Sequence, residues 1–577
     1  MKGKMPSSRT PAQTGAEVSA RGYELLEGVR ALSGQAILDR VLQLEDPRTT
    51  VQELSGEDFY WMVKKVGEQD AVALLELASE TQWQYVLDLE IWSGDRLDLL
   101  RADHWISRLG QADCVRLVWW FFSQAELLAH SYLYRSVEVI VVQDDEGTWN
   151  IPDGYFSADG VFYIRAVEPE SRPHLENLLR VMAEEDHERY QSLLLGLAGV
   201  LPAEVEEEMY RWRNVRIAEH GFLPKEEALS IYAPLDLHAL QGDAPPALPS
   251  RVKEAGETVL VPMAPLEHAE RGNLLIDAVS AGSDPLLLDR LRLEFAGLCN
   301  QILSADGDLS PELEDLLEVC RKAASYVNLA LERLAGKEPE AVAQTLREHS
   351  LVALFRAGYG LALKIRRETD RWLEKSWFAA RGLSPDFWGE YWGGILHGVL
   401  QKRPRLFVGD REGEAYRDFE WLSDLAECLR VVRRIMVLDS LMDRLAGTVA
   451  HGLHVLESPD ITFRLLFFNS WARRLVKARP SFAPITPSQA RRFFEKLRGK
   501  GAKGAPPYTM TGFEERFVRD FMAFAADSEP EAAAILEDTL VLIWQEFSEE
   551  YQAVSLEDLD GRYSKFITIR EPRTSAH

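Results

Sequence analysis

SGEDFYWMVKKVGEQDAVALLELASETQWQYVLDLEIW, residues 55–92, decides how the rest of the chain is read. Two helix starts of one kind punctuate it, Ser55-Gly-Glu-Asp58 and Ser79-Glu-Thr-Gln82. In a capping box the serine hydroxyl accepts an orphan amide, and the acid or amide side chain three residues on accepts the serine's own N–H. Helices are therefore predicted from about 55 and 79. Between them Phe59, Met62, Val63 and Val66 fall on one face, Gly67-Glu-Gln-Asp70 breaks the pattern, and residues 71–78 resume it. Two short helices fit that span.

A second cycle runs through Trp83, Val86 and Leu87, breaks at Ser93-Gly-Asp95, and resumes at 104–109 and 115–128. Short antiparallel helices cannot bury their apolar faces alone, so they are expected to stack into a small superhelix. Leu, Ala, Glu, Arg and Asp dominate the chain, and most of these lose little rotamer freedom in a helix. The fold class expected is mainly α: a short-helix superhelical N-terminal domain with a small β-hairpin or ribbon insertion, followed by a larger all-α domain.

Composition shifts divide the 577 residues further. Residues 1–19 read as a disordered tail and 20–135 as the superhelical domain. In 136–168, SVEVIVVQ and GVFYIRAVE are rich in β-formers around Asp144-Asp-Glu-Gly147 and Asp153-Gly154, which reads as a β-hairpin or three-stranded ribbon. Residues 169–240 complete the first unit in helix, and 241–258 form a Pro-rich linker expected to flex. A large helical domain follows over 259–495, with helices expected at 285–304, 311–335, 339–377 and 416–445. A basic Gly/Lys/Pro linker at 496–512 leads to a C-terminal helical piece, 513–577, with a closing strand at 563–569.

Lys and Arg number 65 against 92 Asp and Glu, a formal net charge of -27, which repels nucleic-acid phosphates and anionic lipid. Nucleic acid is not an expected partner. Cys114, Cys299, Cys320 and Cys428 lie far apart and read as buried thiols of a reducing compartment. No secretory signal is read in the N-terminal residues, and no apolar run approaches the ~20 residues of a membrane span. A cytoplasmic protein is expected.

The stretch 55–92, together with LVALFRAGYGLALKIRRE at 351–368, resembles an uncharacterised family of large bacterial helical proteins, a domain of unknown function. The resemblance covers most of the chain and brings no activity or site residues. A weaker, architectural likeness links the short acidic helices of residues 50–130 to the cytoplasmic N-terminal superhelix of MgtE-type magnesium transporters. No pore segment follows here, so that likeness implies no transport.

Several constellations invite chemistry. His451, His454 and Glu457 stand at i, i+3 and i+6, a spacing able to share a metal ion along one helix side, although Gly452 weakens a helix there. Histidines satisfied at a helix end explain the same residues. Glu184-Glu-Asp-His187 carries one Glu-x-x-His, where a di-iron bundle needs two. Asp306-Gly-Asp-Leu-Ser310-Pro-Glu312 fails the calcium-loop register, and a loop leading into a Ser310-Pro311 helix start accounts for it. GKGAKG at 499–504 fails the Walker pattern, yet with Arg491 and Arg492 upstream its Lys500 and Lys503 form the densest basic island, an anion-binding candidate or a solvated linker. No nucleophile elbow, zincin motif or dinucleotide fingerprint occurs, and no cofactor is expected. Trp119-Trp-Phe-Phe122 and Phe387-Trp388 with Tyr391-Trp392 read as core, any exposed remainder favouring a protein partner. The expected function is a helical scaffold or regulatory interaction protein, the alternative a metal-dependent enzyme using His451, His454 and Glu457.

Overall fold

In a computed structural model the chain is described over residues 32–142, 151–197, 202–237, 272–282, 284–307, 311–411, 414–449, 461–499, 506–510, 512–559 and 565–570, with a few shorter stretches between. Among these are 24 α-helices and three two-stranded antiparallel sheets, so the protein is mainly α with small hairpin insertions. It forms two compact units, Met1–Ala357 and Gly358–His577.

The first unit opens with α1 (Gly34–Leu42), α2 (Pro47–Gln52), α3 (Gly56–Val66), α4 (Val72–Leu77) and α5 (Glu80–Glu90). Ser55 Oγ accepts the Asp58 N–H at 3.0 Å and so starts α3. The box at α5 is complete: Gln82 N–H reaches Ser79 Oγ at 3.2 Å while Gln82 Oε1 accepts Ser79 N–H at 2.9 Å. Gln82 Nε2 then donates to the buried carbonyls of Val51 and Leu54, tying this cap to the end of α2. α3 packs on α5, and α4 on α6 (Leu99–Ser123), so helices meet the one two places along. Between α5 and α6, β1 (Trp92–Ser93) and β2 (Arg96–Leu97) make a tiny hairpin where the sequence shows only a break, with Gly94 at φ 65°. α6 kinks at Asp113, whose carboxylate accepts the Arg116 N–H at 3.0 Å and restarts the helix near the expected 115.

α7 (Glu126–Ser136) leads into β3 (Val137–Val141), paired with β4 (Phe162–Ala166) from Val137↔Ala166 to Val141↔Phe162. A Phe156↔Ile164 bridge adds a third segment to this ribbon. α8 (Arg172–Glu185), α9 (His187–Leu197), α10 (Pro202–Ala218) and α11 (Lys225–Ala228) follow. After α10 the chain turns at Gly221, φ 89°, against the backbone of Gly297, where a Cβ would come within 2.7 Å of the Gly297 Cα. Only glycine fits both the conformation and the gap. α12 (Ala264–Glu267), α13 (Leu274–Ala281), α14 (Pro285–Asp306), α15 (Leu313–Ala335) and α16 (Pro339–Glu348) complete the unit, and its boundary falls within α17 (Leu351–Leu373).

The single helix expected over 339–377 is divided. His349 is extended (ψ 149°), and the Leu351 N–H of the new helix is taken by Glu294 Oε2 at 2.8 Å. α18 (Trp377–Ala380) is started by Ser376 and by buried Asp439, which accepts Phe378 N–H at 2.8 Å and Trp377 N–H at 3.1 Å. The second unit continues with α19 (Glu390–Leu400), β5 (Leu406–Arg411), β6 (Glu414–Arg417) and α20 (Leu422–Thr448). Tyr416, expected at a helix start, lies in β6 with its ring 5.3 Å from that of Phe407. Asp424 begins α20 instead, accepting the N–H groups of Glu420 and Trp421 and both arms of Arg417.

α21 (Phe463–Leu475), α22 (Pro487–Arg498), α23 (Phe513–Met522) and α24 (Pro530–Tyr551) close on an aromatic core. Phe468 stacks on Phe547 at 4.2 Å, and Trp471 meets Phe517 edge-on at 5.1 Å. Where a C-terminal closing strand is expected, Thr568 and Arg570 bracket Ile485 with two hydrogen bonds, a single parallel bridge at Ile569. The Pro-rich stretch 241–258 lies outside the described residues.

Candidate interaction surface

α10 reads PAEVEEEMYRWRNVRIA. Met209, Arg213 and Ile217 recur every four residues and are buried, so the inward stripe carries an arginine in its middle, only 1 % exposed. A buried guanidinium is tolerated where most of its donors are met; here Nη2 meets no partner among the described residues. Arg213 Nε donates to the Asp88 carbonyl at 2.5 Å, and its charge lies 5.5 Å from the Trp92 ring centre. One turn on, Arg216 grips the Asp88 carboxylate with Nε and Nη2, each at 2.7 Å. Glu206 accepts the Leu97 N–H and Arg135 Nη2, both at 2.6 Å. Beyond the helix end His220 Nδ1 meets Glu57 Oε1 at 2.5 Å, and its carbonyl accepts Asn300 Nδ2 at 2.8 Å. Four side chains and the His220 carbonyl thus fix this segment on α5, α3, α7 and α14.

That anchoring determines what faces out. Trp212 and Val215, one turn apart, are 50 % and 52 % exposed. Around them stand the exposed side chains of Glu204, Glu207, Glu208, Arg211 and Glu219, and Glu208 Oε1 accepts the Trp212 Nε1–H at 3.4 Å. A bulky indole beside a valine on a rigid helix is the composition of an interface anchor. A second exposed indole, Trp119 of α6, also gives its N–H to a glutamate, Glu185 at 3.0 Å, but differs in that the Arg189 guanidinium lies over its ring. Its neighbours Trp120 and Phe121 are buried, as are Phe387, Trp388 and Trp392.

Other buried or half-buried charges hold helices together. Lys64 lies between Glu90 at 3.0 Å and Glu68 at 3.2 Å, and Tyr60 donates to Glu90 at 2.6 Å. Burial opposes the Lys64 charge, but the two carboxylates outweigh it and hold the ammonium above its usual value. Asp103 is a hub for α6, α7 and α8, accepting Tyr132 Oη–H at 2.5 Å and Ser171 Oγ–H at 2.8 Å, with His174 Nε2 at 3.0 Å. Serine and histidine both address the carboxylate here rather than each other, so this is no nucleophile relay. Asp439 carries a raised carboxyl pKa, chiefly from burial.

Of the candidates read from sequence, His451, His454, Glu457, Lys500 and Lys503 lie outside the described residues. Arg491 and Arg492 are exposed on α22, Arg491 paired with Glu495 at 3.4 Å. Glu184 and His187 do not share a helix face, because Asp186 is extended (φ -151°, ψ 94°) and separates α8 from α9. α15 begins with a Glu312/Asp315 box, two residues beyond the start expected at Ser310-Pro311, and Asp306 accepts Tyr232 Oη–H and Lys322. Cys299 and Cys320 are buried with their sulfurs 3.8 Å apart. Among the described residues no group of three or more His, Cys, Asp and Glu is placed to hold a metal ion, and no helix is long and apolar enough to cross a membrane.

The sequence reading missed Trp212 and Val215. MYRWRNVRIAEH places aromatic and cationic residues on both sides of the helix, and expectation puts tryptophan in and arginine out. The usable signal was the four-residue spacing of Met209, Arg213 and Ile217, which leaves Trp212 outside.

No curated protein and no solved structure matches the chain, so the likeness of residues 50–130 to the MgtE superhelix gains no support. The profile of a family of unknown function (DUF6178) matches residues 17–570, and the chain belongs to that family.

Proposed function

We propose that the protein is a helical scaffold that binds another protein through the outer face of α10. The observation that carries this reading is the inversion on that helix: Arg213 is buried while Trp212 and Val215 stand exposed on a segment fixed by ion pairs. Interfaces gain most from a few aromatic anchors on preorganised elements, and covering the exposed half of Val215 contributes about 1 kcal/mol. The acidic surround of Glu204, Glu207, Glu208 and Glu219, on a chain of net charge -27, selects a partner with an apolar pocket in a basic surround. Capture from the native cell with the wild-type chain and with Trp212→Ala/Val215→Ala tests the reading. A partner held by the wild type and lost from a normally folded double variant supports it; identical recoveries refute it.

A further inference from the structure

α13, α14 and α16 enclose a groove of 390 Å³, within the roughly 300–1,000 Å³ of small-molecule sites. Its floor is apolar, with Leu288, Leu291, Val342 and Leu346 among the lining side chains. Four charges line it as well: Asp277, Asp284, Lys337 and Arg347. Two are already engaged. Asp284 caps α14 by accepting the Leu287 N–H at 3.4 Å, and Lys337 pairs with Glu332 at 3.6 Å. The Asp277 carboxylate and the Arg347 guanidinium meet no partner among the described residues. Both side chains are exposed to solvent, so one anion and one cation without a protein partner stand at the rim of an apolar cleft.

The walls are fixed from behind. Asn273, 2 % exposed, caps α13 through the Ile276 N–H at 3.0 Å, while buried Asn328 of α15 accepts the Leu274 N–H at 2.8 Å. On the other side Arg290 donates to the carbonyls of Leu346 and Arg347 and pairs with Glu294 at 3.3 Å. Glu294 in turn holds the Leu351 N–H. The last turn of α16, which presents Arg347, is thus pinned to α14. Preorganised walls lower the ordering cost of binding.

We propose that this groove binds a small zwitterion with an apolar body, an amino acid or a di- or tripeptide. Its ammonium pairs with Asp277, its carboxylate with Arg347, and its side chains lie on Leu288, Leu291, Val342 and Leu346. A fatty carboxylate would satisfy Arg347 and leave Asp277 opposed to it, so charge complementarity favours the zwitterion. The site is separate from the α10 face and stands or falls without it.

Calorimetric titration of the full chain with leucine, with Leu-Leu-Leu, and with decanoate tests the assignment, using wild type, Asp277→Asn, Arg347→Gln and the groove-filling Ala343→Trp. Circular dichroism checks that each variant folds. The expected result is that leucine or Leu-Leu-Leu binds the wild type, weakens about two- to fivefold in each charge variant as one solvent-exposed ion pair is lost, and fails to bind Ala343→Trp. Which of the two binds tells the free amino acid from the peptide. The proposal is overturned if neither binds at about 1 mM, if decanoate binds as well as the zwitterion, or if both charge variants bind undiminished.

Discussion

Arg216 on α10 meets both oxygens of Asp88 on α5 at 2.7 Å each, a forked pair in which the acid is 5 % and the arginine 42 % exposed at the side chain. Removing the fork leaves a carboxylate in a largely dry site where, among the described residues, Gln84 Nε2 still donates to it at 2.9 Å. Arg216→Ala is expected to cost about 2 kcal/mol, reduced from the cost of breaking a fully buried pair because Arg216 is partly solvated. Arg216→Lys keeps the charge without the fork and should fall between. The midpoint of urea denaturation reads the order; equal stability of all three chains would contradict it.

Gln82 carries more than its cap. Ser79→Ala removes one capping bond and is expected to cost about 1 kcal/mol. Gln82→Ala also removes the donor of the buried Leu54 carbonyl and one of two donors of the Val51 carbonyl, which keeps the Leu54 N–H at 3.1 Å, and the acceptor left unmet brings the loss to about 2–3 kcal/mol. Denaturation of the two variants side by side checks this, and an effect at Ser79 as large as that at Gln82 would count against it.

Asp103 makes part of the stability of the first unit acid-sensitive. Burial raises its carboxyl pKa, but hydrogen bonds from His174, Tyr132 and Ser171 outweigh that and hold it below its ordinary 3.8. A depressed folded value means that the contribution is complete above pH 3.8 and is lost as pH falls through the folded value. Asp103→Asn should therefore be less stable than wild type by about 1–3 kcal/mol at neutral pH, with the gap closing in strong acid. A gap constant from pH 7 to pH 2 would show that the carboxylate charge contributes nothing.

Much of the fold was legible because its signals are local. Ser55, Ser79, Pro285 and Pro339 mark helix starts through side chains and ring constraints acting within one turn. The errors came where a distant residue decides. The division after His349 depends on Glu294, which takes the N–H of Leu351 from 57 positions away, and the strand at Tyr416 on Phe407 across its hairpin. The α10 face was hidden for the same reason: Arg213 is inside with its Nε on the Asp88 carbonyl, 125 residues earlier, and its charge over the Trp92 ring.

That placement also yields the closest test of the proposed docking face. A photo-crosslinking amino acid is introduced at Val215 of α10, or at Leu42 of α1, which is 51 % exposed and serves as the control, and the chain is irradiated in its native cell. A discrete protein adduct is expected from position 215, absent from position 42 and abolished by Trp212→Ala; no adduct from 215, or the same adducts from both positions, would contradict a docking role for α10.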